Sequence, residues 1–252
     1  MAAFSFLRFP LSLIVMKKKA RKYIIGIDEV GRGALAGPVV VAAVCFPTGL
    51  KISNRKLGAL KDSKKLSPKL RGLWVEHFKS IPEISYKTAR VYPRAIEKIN
   101  ISQAANRAAS IASRRVIKSL QHSNILPHSR RASDGLGKNV GMFRIFLDGG
   151  LYLVNKSESP LIASRKDAKN FRKDSRFVSR YLASTVVRGD EKITAVKAAS
   201  IIAKVQRDRY MEKLSKKHPR YGFEIHKGYG TKRHLKAIRR HGPSEVHRAT
   251  FL

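Results

Sequence analysis

Apolar residues fall into two kinds of pattern along this chain. Short, nearly continuous runs occur at Tyr23–Ile27, Val39–Phe46, Met142–Leu147 and Leu182–Val187, and Ile84–Val91 alternates roughly between apolar and polar. Val/Ile-rich runs of this length, bounded by glycine or charge, read as strands. Elsewhere the apolar positions return every three or four residues. Ile101, Ala104, Ala105, Ala108, Ile111 and Ala112 mark one helix face behind an Asn100 cap, with Gln103 at the capping-box position. Ala198, Ile201, Ile202 and Val205 mark another, extending to about Lys216, with Lys204, Arg207 and Asp208 on other faces as surface charges. Ser67–Pro68 caps a short helix reaching Ser80, and Thr231 caps a basic helix over Lys232–Arg240.

Carboxylates stand where these runs stop. The first run ends in Asp28–Glu29, followed by a glycine turn, Gly31-Arg32-Gly33, and the second run. A carboxylate at the end of a buried strand is held rigidly, and two neighbours suit a divalent cation that takes oxygen ligands. Asp148 ends the Met142 run and Asp190 follows the Leu182 run. Asp148-Gly149 alone reads as a turn; its interest lies in the parallel with Asp28. Gly31, Gly33 and Gly37 also approach a dinucleotide fingerprint, but that motif needs a helix to open at once, and Pro38-Val39-Val40-Val41 favours a strand.

Between these elements the chain is basic and aperiodic. Residues 121–140 and 151–180 read as basic insertions, and Lys64 and Lys65 as either a solvated loop or a phosphate contact. Residues 1–22 are apolar but broken by Arg8 and Pro10, and their lysine cluster follows the apolar part instead of preceding it. The expectation is a disordered or spurious extension, with Met16 competing with Met1 as the start.

Composition then narrows the function classes. Of 252 residues 43% are hydrophobic, enough for a real core, while 53 Lys and Arg against 17 Asp and Glu give a formal charge of +36. Such an excess calls for a polyanion, and nucleic acid is the leading partner. A basic structural protein of ribosome or nucleoid shows the same excess, so charge alone does not separate enzyme from scaffold. Cys45 is the one cysteine, read as a small buried hydrophobe; no intrachain disulfide can form, which fits a reducing cytoplasm. The eight histidines are scattered without zinc-site spacing.

Taken in order, GIDEVGRGALAGPVV (Gly26–Val40), DSKKLS (Asp62–Ser67), LDG (Leu147–Gly149), RGD (Arg188–Asp190), AASIIAKVQRDR (Ala198–Arg209), HKGYGT (His226–Thr231) and GPSEVHR (Gly242–Arg248) resemble bacterial ribonuclease HII, the type 2 ribonuclease H family. The resemblance implies a ribonuclease-H-like α/β fold: a mixed five-stranded sheet flanked by helices. It implies a catalytic domain over residues 23–215 and a helical, substrate-binding part over 216–252. It implies that Asp28, Glu29, Asp148 and Asp190 bind two divalent ions, Mg²⁺ or Mn²⁺. Gly31, Arg32 and Gly33, with Ser63, Lys64 and Tyr229, are the implied substrate contacts. The expected activity is metal-dependent endonucleolytic cleavage of RNA–DNA hybrids and of single ribonucleotides in duplex DNA, by a cytoplasmic monomer without membrane contact. A junction resolvase of the same fold is the enzymatic alternative.

Overall fold

The computed structural model describes residues 22–122, 143–153 and 182–252. The N-terminal extension up to residue 21 and most of both basic insertions lie outside the described residues.

Five strands form one mixed sheet in the order β3-β2-β1-β4-β5. β1 (Tyr23–Val30) and β2 (Val39–Pro47) are the hairpin expected on either side of the glycine turn, and β3 (Ser85–Val91) extends it antiparallel. β4 (Phe143–Asp148) and β5 (Leu182–Val186) add to the other edge of β1, both parallel. Placing β2 directly after β1 with no helix between them disposes of the dinucleotide reading.

Both sheet faces are covered, which is why the central strands carry uninterrupted apolar runs. Ile25, Ile27, Val41, Ala43 and Cys45 pack with the alanine face of α3 (Ile101–His122). Ala42, Val44 and Phe46 pack with α1 (Pro68–Ser80) and α5 (Thr194–Lys217). Asn100 accepts from the Gln103 N–H at 3.0 Å and Ser67 from Leu70 at 3.2 Å, so both expected caps form. A short helix, α2 (Pro93–Ile99), leads into α3.

α5 is the fold's central helix. Its first turn packs so tightly on β1 that a Cβ added to Gly26 would sit 2.1 Å from the Ala195 carbonyl carbon. Its buried residues run all the way round it and include Arg207, which the periodicity had placed on the surface. Beyond α5, the short α6 (Phe223–His226) and the basic α7 (Lys232–His241) surround a small cluster of Ala36, Met211, Leu214, Tyr221 and Phe223. None of the described helices is long and apolar enough to cross a membrane.

Candidate active site

The strand register brings the first two acidic positions together. Ile27 pairs with Leu147 across the parallel β1–β4 ladder, so Asp28 and Asp148 follow at the same level of adjacent strands. Asp28 is buried and pushed well above the usual carboxylate pKa, first by burial, then by repulsion from Glu29 and Asp148. Glu29 is also raised, chiefly by burial; Arg32 opposes the shift and Asp148 adds to it. Arg32 Nε donates to Glu29 Oε1 at 3.0 Å, whereas the buried Glu29 Oε2 has no hydrogen-bond partner among the described residues.

Asp190 arrives by a different route. The chain turns through Arg188 in the left-handed region (φ 54°) and opens a single helical turn, α4 (Gly189–Lys192). Asp190 therefore lies within that turn, not at a strand end, because Gly189 N–H donates to Asp148 Oδ1 at 2.8 Å and ties the turn to β4. Lys64 Nζ stands 3.5 Å from Asp190 Oδ2. Burial lowers the Lys64 pKa, but Asp190, Asp62 and Asp28 together hold it above the ordinary lysine value. One ammonium thus senses carboxylates from β1 and α4. Ser63 enters the site indirectly: its hydroxyl lies 2.7 Å from that of Ser200 on α5, which hydrogen-bonds Asp28.

Whether this group suits divalent cations is decided by its donor set. It offers carboxylate oxygens only, the hard ligands that Mg²⁺ and Mn²⁺ take. Two members are pushed toward protonation, chiefly by burial, and one buried oxygen lacks a partner among the described residues. Among the described residues no three acidic, imidazole or thiol groups already close round one point. The carboxylates are assembled as neighbours rather than as a finished cage, and the residues fit the ions in chemistry.

The glycine turn is held by two arginines. Arg248, fully buried, donates through Nη2 to Gly31 O (2.7 Å) and Gly37 O (2.8 Å), through Nη1 to Arg32 O (2.8 Å) and through Nε to Gly37 O (3.0 Å). Arg207 Nε, Nη1 and Nη2 donate to the carbonyls of Pro38 (3.0 Å), Lys227 (2.8 Å) and Ala36 (3.1 Å). A trans peptide points its N–H opposite its C=O. With the Gly31 and Arg32 carbonyls turned onto Arg248, the N–H groups of Arg32 and Gly33 point away from it. Gly33 is exposed, with nothing within 4 Å of where a Cβ would stand. Tyr229 bridges Ala34 through the backbone, and its half-buried ring lies 5.1 Å from the Arg207 guanidinium. Asp208 is no surface ion: it is largely enclosed between Lys204 (2.8 Å) and the buried Arg71 (3.5 Å).

Sequence reading missed Arg207, Arg248 and Ser200. A signal existed for Arg207: it continues the column Ala195, Ala199, Ala203, all buried. Small residues every fourth position mark a close-packed helix face, so a charged residue next in that column has to find partners inside.

The ribonuclease HII family model matches residues 25–137 and 153–252 of this chain. The chain belongs to the ribonuclease HII family. A ribonuclease HII from Bacillus cytotoxicus is 37% identical over 236 residues, covering 94% of this chain and 71% of that protein. One from Bacillus cereus shows the same identity and coverage. Among solved structures, the fold resembles ribonuclease H2 of Pyrococcus horikoshii, with TM-score 0.56 and 23% identity over 90% of this chain and 93% of that one. It also resembles the Archaeoglobus fulgidus structure described as a PCNA:RNase HII complex, with TM-score 0.55, 25% identity and the same coverage. As a member of that family the protein is an enzyme, a hydrolase of the ribonuclease H kind.

Proposed function

We propose that this protein cuts the RNA strand of RNA–DNA hybrids, and single ribonucleotides embedded in duplex DNA, on the 5′ side of the ribonucleotide. Cleavage leaves 5′-phosphate and 3′-hydroxyl ends, as in removal of misincorporated ribonucleotides and primer RNA. One observation supports the reading: Asp28, Glu29 and Asp148 repel one another, and Lys64 and the Gly189–Asp148 hydrogen bond tie Asp190 to them, beside a glycine turn whose carbonyls Arg248 holds.

Asp28, Glu29, Asp148 and Asp190 would hold two divalent ions, Mg²⁺ or Mn²⁺. When bound, such ions activate water and neutralise charge on the phosphoryl oxygens. The chain's own groups do the rest. Lys64, 83% exposed at its side chain and anchored by Asp190, reaches a phosphate of the scissile strand. Ser63 and Ser200 keep the Asp28 carboxylate in one orientation. Arg32 donates to Glu29 on one side and to Gly150 O, at 3.2 Å, on the other, which fixes the Glu29 carboxylate.

Selection rests on the 2′-hydroxyl, the group that separates RNA from DNA at one nucleotide. The outward N–H groups at Arg32 and Gly33 read that hydroxyl, and the bare Gly33 Cα lets the sugar come close. Tyr229 stacks on the sugar of the following deoxynucleotide. The exposed Lys232, Arg233, Lys236, Arg239 and Arg240 of α7 track the duplex backbone, giving residues 216–252 their binding role.

The test is a duplex carrying one ribonucleotide, incubated with purified protein and Mg²⁺ or Mn²⁺. A single cut on the 5′ side of the ribonucleotide, with none in the all-DNA control, is the expected result. Cutting of all-DNA junctions, or no cutting with either metal, overturns the proposal.

A further inference from the structure

Three histidines in the C-terminal part, His226, His234 and His247, are buried to 7%, 0% and 4% exposure and take no part in the chemistry above. Their ring protons can be assigned from the fixed backbone donors around them. Ser244 N–H donates to His247 Nδ1 at 3.0 Å, with the Ser244 hydroxyl 2.9 Å from the same nitrogen, so the His247 proton sits on Nε2. That Nε2 faces His234 Nε2 at 3.1 Å, which must then accept. The His234 proton is left on Nδ1, 3.0 Å from the Tyr229 carbonyl. Gly228 N–H donates to His226 Nδ1 at 3.2 Å, leaving His226 Nε2–H for the Tyr221 carbonyl at 2.8 Å. His226 stacks on His234 at 4.2 Å.

The set is closed. Every ring nitrogen is used, and every ring is neutral. A further proton on His234 would set N–H against N–H across the 3.1 Å contact, and one on His247 would meet the Ser244 N–H at Nδ1. One on His226 would meet the Gly228 N–H. The relay ends on the carbonyl of Tyr229, whose backbone bridges the glycine turn at Ala34, while the preceding Gly228 carbonyl accepts from Leu35 (2.8 Å) and Ala36 (3.2 Å).

We propose that His247 and His234 are positioning residues for Tyr229: a one-directional relay of neutral imidazoles, anchored at Ser244, fixes the peptide plane after Tyr229 and so sets its ring against the ribonucleotide turn. Protonating the relay disconnects Tyr229 from the site while the acidic cluster stays in place. The role rests on the reading of Tyr229 as a substrate contact. Burial is the main cause that lowers all three histidines, His234 to about 4. The other charged and titratable groups facing the relay are Glu224 and Arg233 toward His226, and His218 and Glu245 toward His247, with His241 edge-on to Tyr221. With folded values below the ordinary 6.5, the relay stabilises fully above that pH and is lost as pH falls toward about 4.

Two measurements decide it. Long-range ¹⁵N–¹H spectra of histidine-labelled protein should show His247 and His226 as Nε2–H tautomers and His234 as the Nδ1–H tautomer, all neutral at about pH 6. Finding His234 protonated there, or carrying its proton on Nε2, overturns the relay whether or not the enzyme cleaves. In single-ribonucleotide cleavage, His247→Phe should lower kcat roughly tenfold, the size of one lost positioning hydrogen bond, with KM within about twofold. His247→Gln, which keeps a donor, should restore most of it. In a Tyr229→Ala background His247→Phe should add no further loss; multiplying losses would mean a merely structural role. A wild-type protein that cuts nothing defeats the proposed function and leaves the tautomer result to judge the relay, as it does if His247→Phe fails to fold.

Discussion

Arg248 Nη2 donates to the carbonyl of Gly31 at 2.7 Å, joining residues 217 positions apart. The same guanidinium serves Arg32 and Gly37, so one buried side chain replaces the ladder that the residues between β1 and β2 lack. A buried cation with no carboxylate partner among the described residues is tolerable because its N–H groups meet carbonyl oxygens. Arg248 is pulled down to about 10, by burial and then by Arg207.

Lysine cannot reproduce that fork. Arg248→Lys should strand at least two buried carbonyls, at a cost on the order of 2–4 kcal/mol in urea unfolding. Cleavage should fall by more than tenfold even at temperatures where the variant is folded. An unchanged urea midpoint together with normal cleavage would remove the clasp from this account.

Asp28→Asn keeps an oxygen for the Glu29 N–H, which Asp28 Oδ1 accepts at 2.8 Å, but deletes a buried charge. Cleavage should drop by about 10³-fold or more with duplex affinity near normal. The metal-free variant should melt a few degrees higher than wild type, about 2–4 °C for each 1 kcal/mol recovered. A lower melting temperature would contradict the electrostatic strain assigned to Asp28.

The same strain predicts a pH signature. Asp28 and Glu29 titrate above their ordinary 3.8 and 4.5 in the fold, so without metal they favour the folded state at low pH. That contribution disappears as pH rises through their raised range. The gain in melting temperature from added Mg²⁺ should therefore widen from about pH 5 to about pH 8. A gain that stays flat or shrinks would exclude these two carboxylates as ligands.

Glycine positions separate folding from recognition. Gly26→Ala should be severely destabilising, because the new carbon meets α5 backbone at 2.1 Å. Gly33→Ala meets nothing within 4 Å and should unfold within roughly 0.5 kcal/mol of wild type while impairing cleavage next to a 2′-hydroxyl. Equal activity of Gly33→Ala and wild type would exclude close sugar approach at this turn.

Local chemistry made much of this molecule legible. The runs at Tyr23 and Val39 announced the hairpin, and Ser67, Asn100 and Thr231 announced their helices, since strand runs and caps are written in neighbouring residues. Asp28 and Asp148 were visible as the ends of runs. Asp190 was visible only as an acid after a strand; its helical turn depends on a hydrogen bond from Gly189 to Asp148. Arg207, Arg248 and the His234–His247 pair were not legible in role, because their partners lie far off in sequence and are mostly backbone atoms, which leave no mark in the residue code.

The clasp also orders events in time. Gly31 leaves the ribosome long before Arg248, an interval on the order of 10–40 s at roughly 5–20 residues per second. Until then Arg207 can hold Ala36 and Pro38, but the Gly31 and Arg32 carbonyls lack the guanidinium that clasps them.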